Sequence, residues 1–121
     1  MTDADALAQA RQGEVWFADL EPTKGREQAG RRPVLVISVD QLGTGPSELA
    51  IVVPLTTSGR PSPLYVAIDP PEAGLRERSY AMPEMVRSLW RGRLVERWGR
   101  AKSQTLETVI SRVRLLTRLP D

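Results

Sequence analysis

Between Gly13 and Ile68 the chain repeatedly builds a short apolar run and then stops it with proline or glycine, and no run exceeds eight residues. Gly13–Leu20 carries Val15, Trp16, Phe17 and Leu20 and ends at Glu21-Pro22. Pro33–Val39 reads P-V-L-V-I-S-V, Leu49–Leu55 reads L-A-I-V-V-P-L, and Leu64–Ile68 is closed by Pro70-Pro71. β-Branched and aromatic residues favour a pleated surface. Unbroken apolar runs of this length between turn residues predict strands buried on both faces. Pro54, which has no N–H to donate, predicts an edge or a bulge near the end of the third run. Gly43–Ser47 and Gly59–Pro63 read as loops.

Further along, Tyr80–Leu89 and Leu94–Trp98 read as two more strands around Arg91-Gly92-Arg93. Ser103 is the expected N-cap of a terminal helix, with Glu107 in its opening turn. Leu106, Val109, Ile110, Val113 and Leu116 recur at three- and four-residue spacing, the mark of one apolar helix face. Pro120 closes the chain. Short strands, tight turns and one terminal helix predict a mainly β fold, a small and strongly bent sheet or barrel capped by a C-terminal helix. We expect a tail or short helix over residues 1–11 and one domain over 12–121, a size that buries a real core without covalent staples.

Composition narrows the chemistry. The 121 residues include no cysteine and no histidine. Disulfides and thiolate metal sites are thereby excluded, and so is the side chain that titrates near neutrality unperturbed. Catalysis in this chain has carboxylates, arginine, hydroxyls and backbone to work with, and neither a cofactor nor a metal is expected. The N-terminus M-T-D-A-D-A-L-A-Q-A does not read as a signal peptide and no segment is long and apolar enough to span a membrane, so the expectation is a cytoplasmic protein. Net charge is only +2, but Arg87–Lys102 holds six basic residues against Glu96 alone. Fifteen of the seventeen basic residues are arginine, the side chain suited to forked phosphate contacts. That stretch is either a solvated edge or an anion-binding face.

Charge and glycine meet in the loop E-Q-A-G-R-R-P, Glu27 to Pro33. Proline after Arg32 disfavours helix there and holds that arginine extended at the mouth of a strand. Gly30 admits a left-handed turn just before it. An arginine so held, with a glutamate and an amide on the same loop, can grip a phosphate. A surface ion pair, contributing only ~0–1 kcal/mol, is the plainer explanation. Thr56-Thr57-Ser58 follows the third strand and suits phosphate oxygens or a sugar, although the same hydroxyls also serve turns.

The order G-E-V-W…D-L-E-P-T-K-G-R-E-Q-A-G-R-R-P-V-L-V-I-S, followed by I-V-V-P-L-T-T-S, resembles the MazF/PemK family of toxin endoribonucleases in sequence and spacing. The resemblance implies a small SH3-like barrel of the PemK/CcdB-like toxin kind that forms a homodimer. It implies metal-independent, sequence-specific cleavage of single-stranded RNA, mRNA in particular, and neutralisation by a cognate antitoxin. By motif position it assigns catalysis to Arg32, Glu27 and Thr56. Beside these, Gln28, Arg31, Thr57, Ser58, Lys24, Glu84 and Arg87 are the expected substrate-binding residues. Two positions depart from the family pattern. Met85 stands where many relatives carry glutamine after the acid, and Met82 stands where some carry a second arginine.

The implied reaction uses the ribose 2′-hydroxyl as nucleophile and yields a cyclic phosphate and a 5′-hydroxyl. Arg32 suits the growing charge on phosphorus, Thr56 a phosphate oxygen or the sugar, and Glu27 the base or the group that orients it. Unperturbed glutamate and arginine titrate near ~4.3 and above ~12, far from neutrality, so positioning and charge stabilisation are expected to dominate and turnover to be slow. The alternative is a non-catalytic barrel: a gyrase inhibitor of the CcdB kind, or a module that only binds nucleic acid. Trp90 and Trp98 are candidates for core, dimer contacts or base-stacking platforms, the first two favoured, and Val113, Leu115 and Leu116 for a partner-binding surface.

Overall fold

The computed structural model describes residues 7–20, 30–58 and 62–121. Among these, the elements follow as β1 (Glu14–Asp19), β2 (Arg31–Val36), α1 (Asp40–Gly43), β3 (Leu49–Thr56), β4 (Val66–Ile68), β5 (Ser79–Ala81), β6 (Arg87–Trp90), β7 (Leu94–Arg100) and α2 (Ser103–Thr117). Single 3-10 turns occupy Glu72–Gly74, Pro83–Met85 and Arg91–Arg93. Every ladder is antiparallel. The strands are ordered β4-β5-β3-β2-β1-β7, with β6 also paired to β3. The mainly β architecture with a C-terminal helix is therefore as expected, but the sheet of the described residues follows an open path and does not close into a barrel.

The unbroken apolar runs have a simple cause: β2 and β3 are buried on both faces. Successive side chains of a strand point to opposite sides. Leu35 of β2 and Val53 and Leu55 of β3 thus join Val15, Ile68 and Val109 in one core. Val34, Val36, Ala50 and Val52 enter a second core with Ala18, Leu20 and Leu89. Each fully buried Leu or Val contributes roughly 1.5–3 kcal/mol over its exposed state. Helix α2 covers the first core with Val109, supported by half-buried Leu106 and Val113. Its stripe is narrower than expected, because Leu116 is 44% exposed and neighbouring Leu115 is 52% exposed.

Several boundaries moved for identifiable reasons. β2 ends at Val36 because the N–H groups of Ile37 and Ser38 both turn onto the Ile51 carbonyl. Asp40–Gly43 winds into one helical turn ahead of the expected loop. Tyr80–Leu89 is two strands, since the turn at Pro83–Met85 interrupts it. Ser103 is the first helical residue and not the cap; that place belongs to Lys102, with no side-chain capping bond. Pro54 lies inside the sheet. It sits where β3 exchanges β6, paired through Val52, for β5, paired from Leu55, so its missing N–H falls in the gap between them. The Pro54 carbonyl on the same side still accepts from Met82 N–H at 3.0 Å.

The basic stretch of β6 and β7 is largely structural. Arg91 is 5% exposed and donates to the carbonyls of Ala8, Gly43 and Gly45. Arg93 reaches the Asp19 carbonyl, Arg97 the Glu14 carboxylate and Arg100 the Gln12 carbonyl. Four of the six cations are thus engaged in holding β1, α1 and the preceding segment together. Trp90 lies on the surface with its Nε1 donating to Glu48, whereas Trp98 packs against the first core.

Candidate active site

The site grows from the register of β2 on β3. The ladder pairs Val34 with Pro54, Leu35 with Val53 and Val36 with Val52. Continued by two pairs beyond the ladder toward the strand ends, the same antiparallel register sets Arg32 opposite Thr56. Alternation puts Arg32 on the face of Val34 and Val36, and Thr56 on the face of Pro54 and Val52. The two side chains therefore share a face and an end of the sheet. Arg32 is half-buried, and its Nη1 donates to the Leu55 carbonyl at 3.4 Å. Burial lowers the Arg32 pKa from its ordinary value, because a guanidinium withdrawn from water is less well solvated as a cation. Such a cation is poised for an anion.

The backbone around Arg32 is constrained as the loop chemistry predicted. Gly30 has φ 78°, left-handed space that side chains other than glycine rarely occupy. Its carbonyl accepts from Leu20 N–H at 3.0 Å, so the chain leaves β1 and enters β2 side by side. Asp19 pairs with Arg31 and Ala18 with Arg32 across the β1–β2 ladder. Arg31 is exposed and takes the parity of Pro33, so the two adjacent arginines diverge to opposite faces. Lys24, Glu27 and Gln28 lie outside the described residues.

Among the hydroxyls, Thr56 Oγ1 accepts from Ser58 N–H at 3.1 Å, which fixes the turn after β3. That bond occupies a lone pair of the Thr56 hydroxyl and not its proton, so turn chemistry and a donor role are compatible. Thr57 and Ser58 are exposed beyond the strand end. Arg87 pairs with Val52, which puts it on the same face as Thr56, and its Nε donates to the Ser88 carbonyl at 3.3 Å. Glu84 is exposed in the Pro83–Met85 turn, the segment that bridges the gap beside Pro54. Arg32, Thr56 and Arg87 are thus gathered on one face, with Thr57 and Ser58 at its margin. No group of three His, Cys, Asp or Glu side chains that could hold a metal ion gathers among the described residues.

On the other face, beginning at Pro33 and Thr57, opens a cleft of about 550 Å³. Phe17 and Trp98 line it as a stacked pair, ring centroids 5.3 Å apart and planes 7° from parallel. The Trp98 Nε1 donates to Glu96 Oε1 at 3.0 Å. Ser79 and Glu77 stand on its wall, and Ser79 Oγ donates to the Glu77 carbonyl at 3.1 Å. Gly74 closes the cleft tightly, since a Cβ there would lie 2.1 Å from the Trp98 carbonyl oxygen. Sequence reasoning offered Trp98 as one possible stacking platform but did not find the cleft or its Phe17 partner. Phe17 and Trp98 meet only through the long-range β1–β7 ladder, whose register shifts beside both Trp16 and Phe17.

Comparison with known proteins places the fold and the family. Residues 11–117 match the family described as PemK-like, MazF-like toxin of type II toxin–antitoxin system. The chain belongs to that family. Endoribonuclease EndoA of Bacillus subtilis is 33% identical over 113 residues, covering 92% of this chain and 97% of its own. MazF of Deinococcus radiodurans is 27% identical and superposes with a TM-score of 0.81 over 93% of this chain and 99% of its own. The MazF of a MazE–MazF complex from the same organism, also 27% identical, superposes with a TM-score of 0.75 over the same shares. The MazF/PemK resemblance read from the two sequence blocks is therefore correct, and the gyrase-inhibitor alternative is not favoured.

Proposed function

We propose that this protein is a toxin endoribonuclease that cuts single-stranded RNA through attack of a ribose 2′-hydroxyl on the adjacent phosphate. The observation that carries the reading is the β2–β3 register, which, extended two pairs past Val34 and Pro54, brings Arg32 opposite Thr56 in a chain of the MazF-like toxin family. The 2′-hydroxyl gives its proton to a base as the 2′-oxygen bonds to phosphorus. The bond from phosphorus to the 5′-oxygen breaks, and that oxygen takes a proton to leave as a 5′-hydroxyl opposite a 2′,3′-cyclic phosphate. Arg32 stabilises the charge that grows on the phosphorane oxygens, where a fixed cation in a partly dry site acts most strongly. Thr56 donates its hydroxyl proton to a phosphate oxygen or to the sugar.

Glu27 is the base in this scheme. It lies three residues before Gly30, a length of chain that reaches at most about 11 Å. Arg31, Lys24, Arg87, Gln28, Thr57, Ser58 and Glu84 bind and orient the strand. The same reading gives the protein a cytoplasmic location, a homodimeric state, a cognate antitoxin that neutralises it, and residues 12–121 as its folding unit. None of the described helices is long and apolar enough to cross a membrane.

The test is a pair of proteins on one labelled RNA in excess chelator. The wild type is expected to cut, and Arg32→Ala to lose at least ~10²–10³-fold in rate, the usual cost of removing one preorganised charge-stabilising donor. Circular dichroism and thermal unfolding should leave the variant within ~1 kcal/mol of wild type. A fully active Arg32→Ala protein, or a wild type silenced by chelation, rejects the proposal.

A further inference from the structure

The cleft beside Pro33 and Thr57 has no part in the chemistry at Arg32 and Thr56, yet it opens from the neighbouring residue of each strand. Its volume of about 550 Å³ falls within the roughly 300–1,000 Å³ of small-molecule sites, enough for one nucleobase and part of its ribose. Phe17 and Trp98 already stack on one another, and both remain half-exposed, so a third flat ring can extend the pile. Bases stack on such rings without regard to sequence. The wall is less tolerant. Glu77 offers only acceptors when ionised, and Ser79, 2% exposed, turns its proton onto the Glu77 carbonyl. The charged donors on the wall are Arg76 and Arg97, the latter engaged with Glu14.

Arg31 lies on the face of β2 on which this cleft opens. It shares the parity of Pro33, and its partner Arg32 faces the other way, so a strand whose phosphate is held at Arg32 meets a second cation as it passes the end of β2. We infer that the Phe17–Trp98 cleft holds one unpaired base flanking the cut, and that Glu77 selects a base carrying an exocyclic amine over uracil. Guanine, adenine and cytosine each present such a donor; uracil presents carbonyl oxygens on either side of its single imino N–H. The cleft is thus a specificity-determining subsite, and the inference rests on the RNA-cleaving reading above.

Binding tests it independently of cleavage. Hexamers of uridine, and hexamers with one internal guanosine, adenosine or cytidine, are titrated while tryptophan emission is followed in wild type, Trp98→Leu and Glu77→Gln. The amine-bearing hexamers should quench the wild type and bind at least ten-fold more tightly than the uridine hexamer. Trp98→Leu, which keeps Trp16 and Trp90, should lose most of the quench. Glu77→Gln, a change at an exposed position that leaves the core untouched, should lose most of the preference, and this arm decides if Trp98→Leu does not fold. Equal affinity for every hexamer, or an unaltered preference in Glu77→Gln, overturns the inference. If the hexamers bind with the expected preference while the wild type never cuts the longer labelled RNA of the chelator test, the catalytic reading fails and the cleft assignment stands.

Discussion

Two charged side chains in this protein experience burial with opposite results. Arg32 is held at the mouth of β2 against the Leu55 carbonyl, and burial alone lowers its pKa. Glu14 is buried in β1, where desolvation pushes its pKa up. Hydrogen bonds from Arg11 N–H, the Trp16 indole and Arg97 outweigh that push, so the net shift is downward. A carboxyl with a lowered folded pKa stabilises the fold above its unfolded value of about 4.3, and that stabilisation disappears as pH falls through the folded pKa. Urea unfolding of Glu14→Gln should therefore show a loss of roughly 1–3 kcal/mol at pH 7. The deficit should shrink as the buffer is taken below pH 4, where wild type loses the same advantage. A deficit that stays constant across that range contradicts the linkage.

At the scale of elements, Arg91 ties three carbonyls from two distant segments to one buried side chain. From the turn between β6 and β7 it reaches the carbonyls of Ala8 before β1 and of Gly43 and Gly45 around α1. Arg91→Met keeps the length of the side chain but removes its bonds to Ala8 and Gly45 and one of the two donors to Gly43, which keeps Ala10 N–H. Each buried group left unpaired costs about 1–3 kcal/mol. We predict a loss of roughly 2–4 kcal/mol by denaturant titration, with faster amide exchange in β1 and α1. A loss under ~1 kcal/mol would remove the tie from the account.

The element scale also shows what could be read from the residues. β1 to β4 and α2 were legible because run length, β-branching and proline punctuation act locally. The division of Tyr80–Leu89 was less so, since Pro83 interrupts a sequence whose apolar content never drops. The partner exchange along β3 was not legible at all, because it depends on where β5 and β6 dock. The Arg32–Thr56 pairing was visible only as two motifs whose order resembled a family; the register that joins them is a long-range fact. The structural use of Arg91, Arg93, Arg97 and Arg100 was hidden for the same reason, as composition counts charge but not its partners.

For the whole molecule, two cores on either side of one open antiparallel sheet fix the ends of β2 and β3, where Arg32 and Thr56 lie. Helix α2 leaves Leu115 and Leu116 exposed at the far end of the chain. The central claim is that the substrate supplies its own nucleophile. The most direct measurement uses a single-stranded RNA whose cut position has been mapped, synthesised with either ribose or 2′-deoxyribose at the nucleotide preceding the cut. In excess chelator the all-ribose strand should give a 2′,3′-cyclic phosphate and a 5′-hydroxyl, and the strand lacking that one 2′-oxygen should remain intact there. Cleavage of the deoxy-substituted strand at the same position, or fragments ending in a 5′-phosphate, would contradict the account.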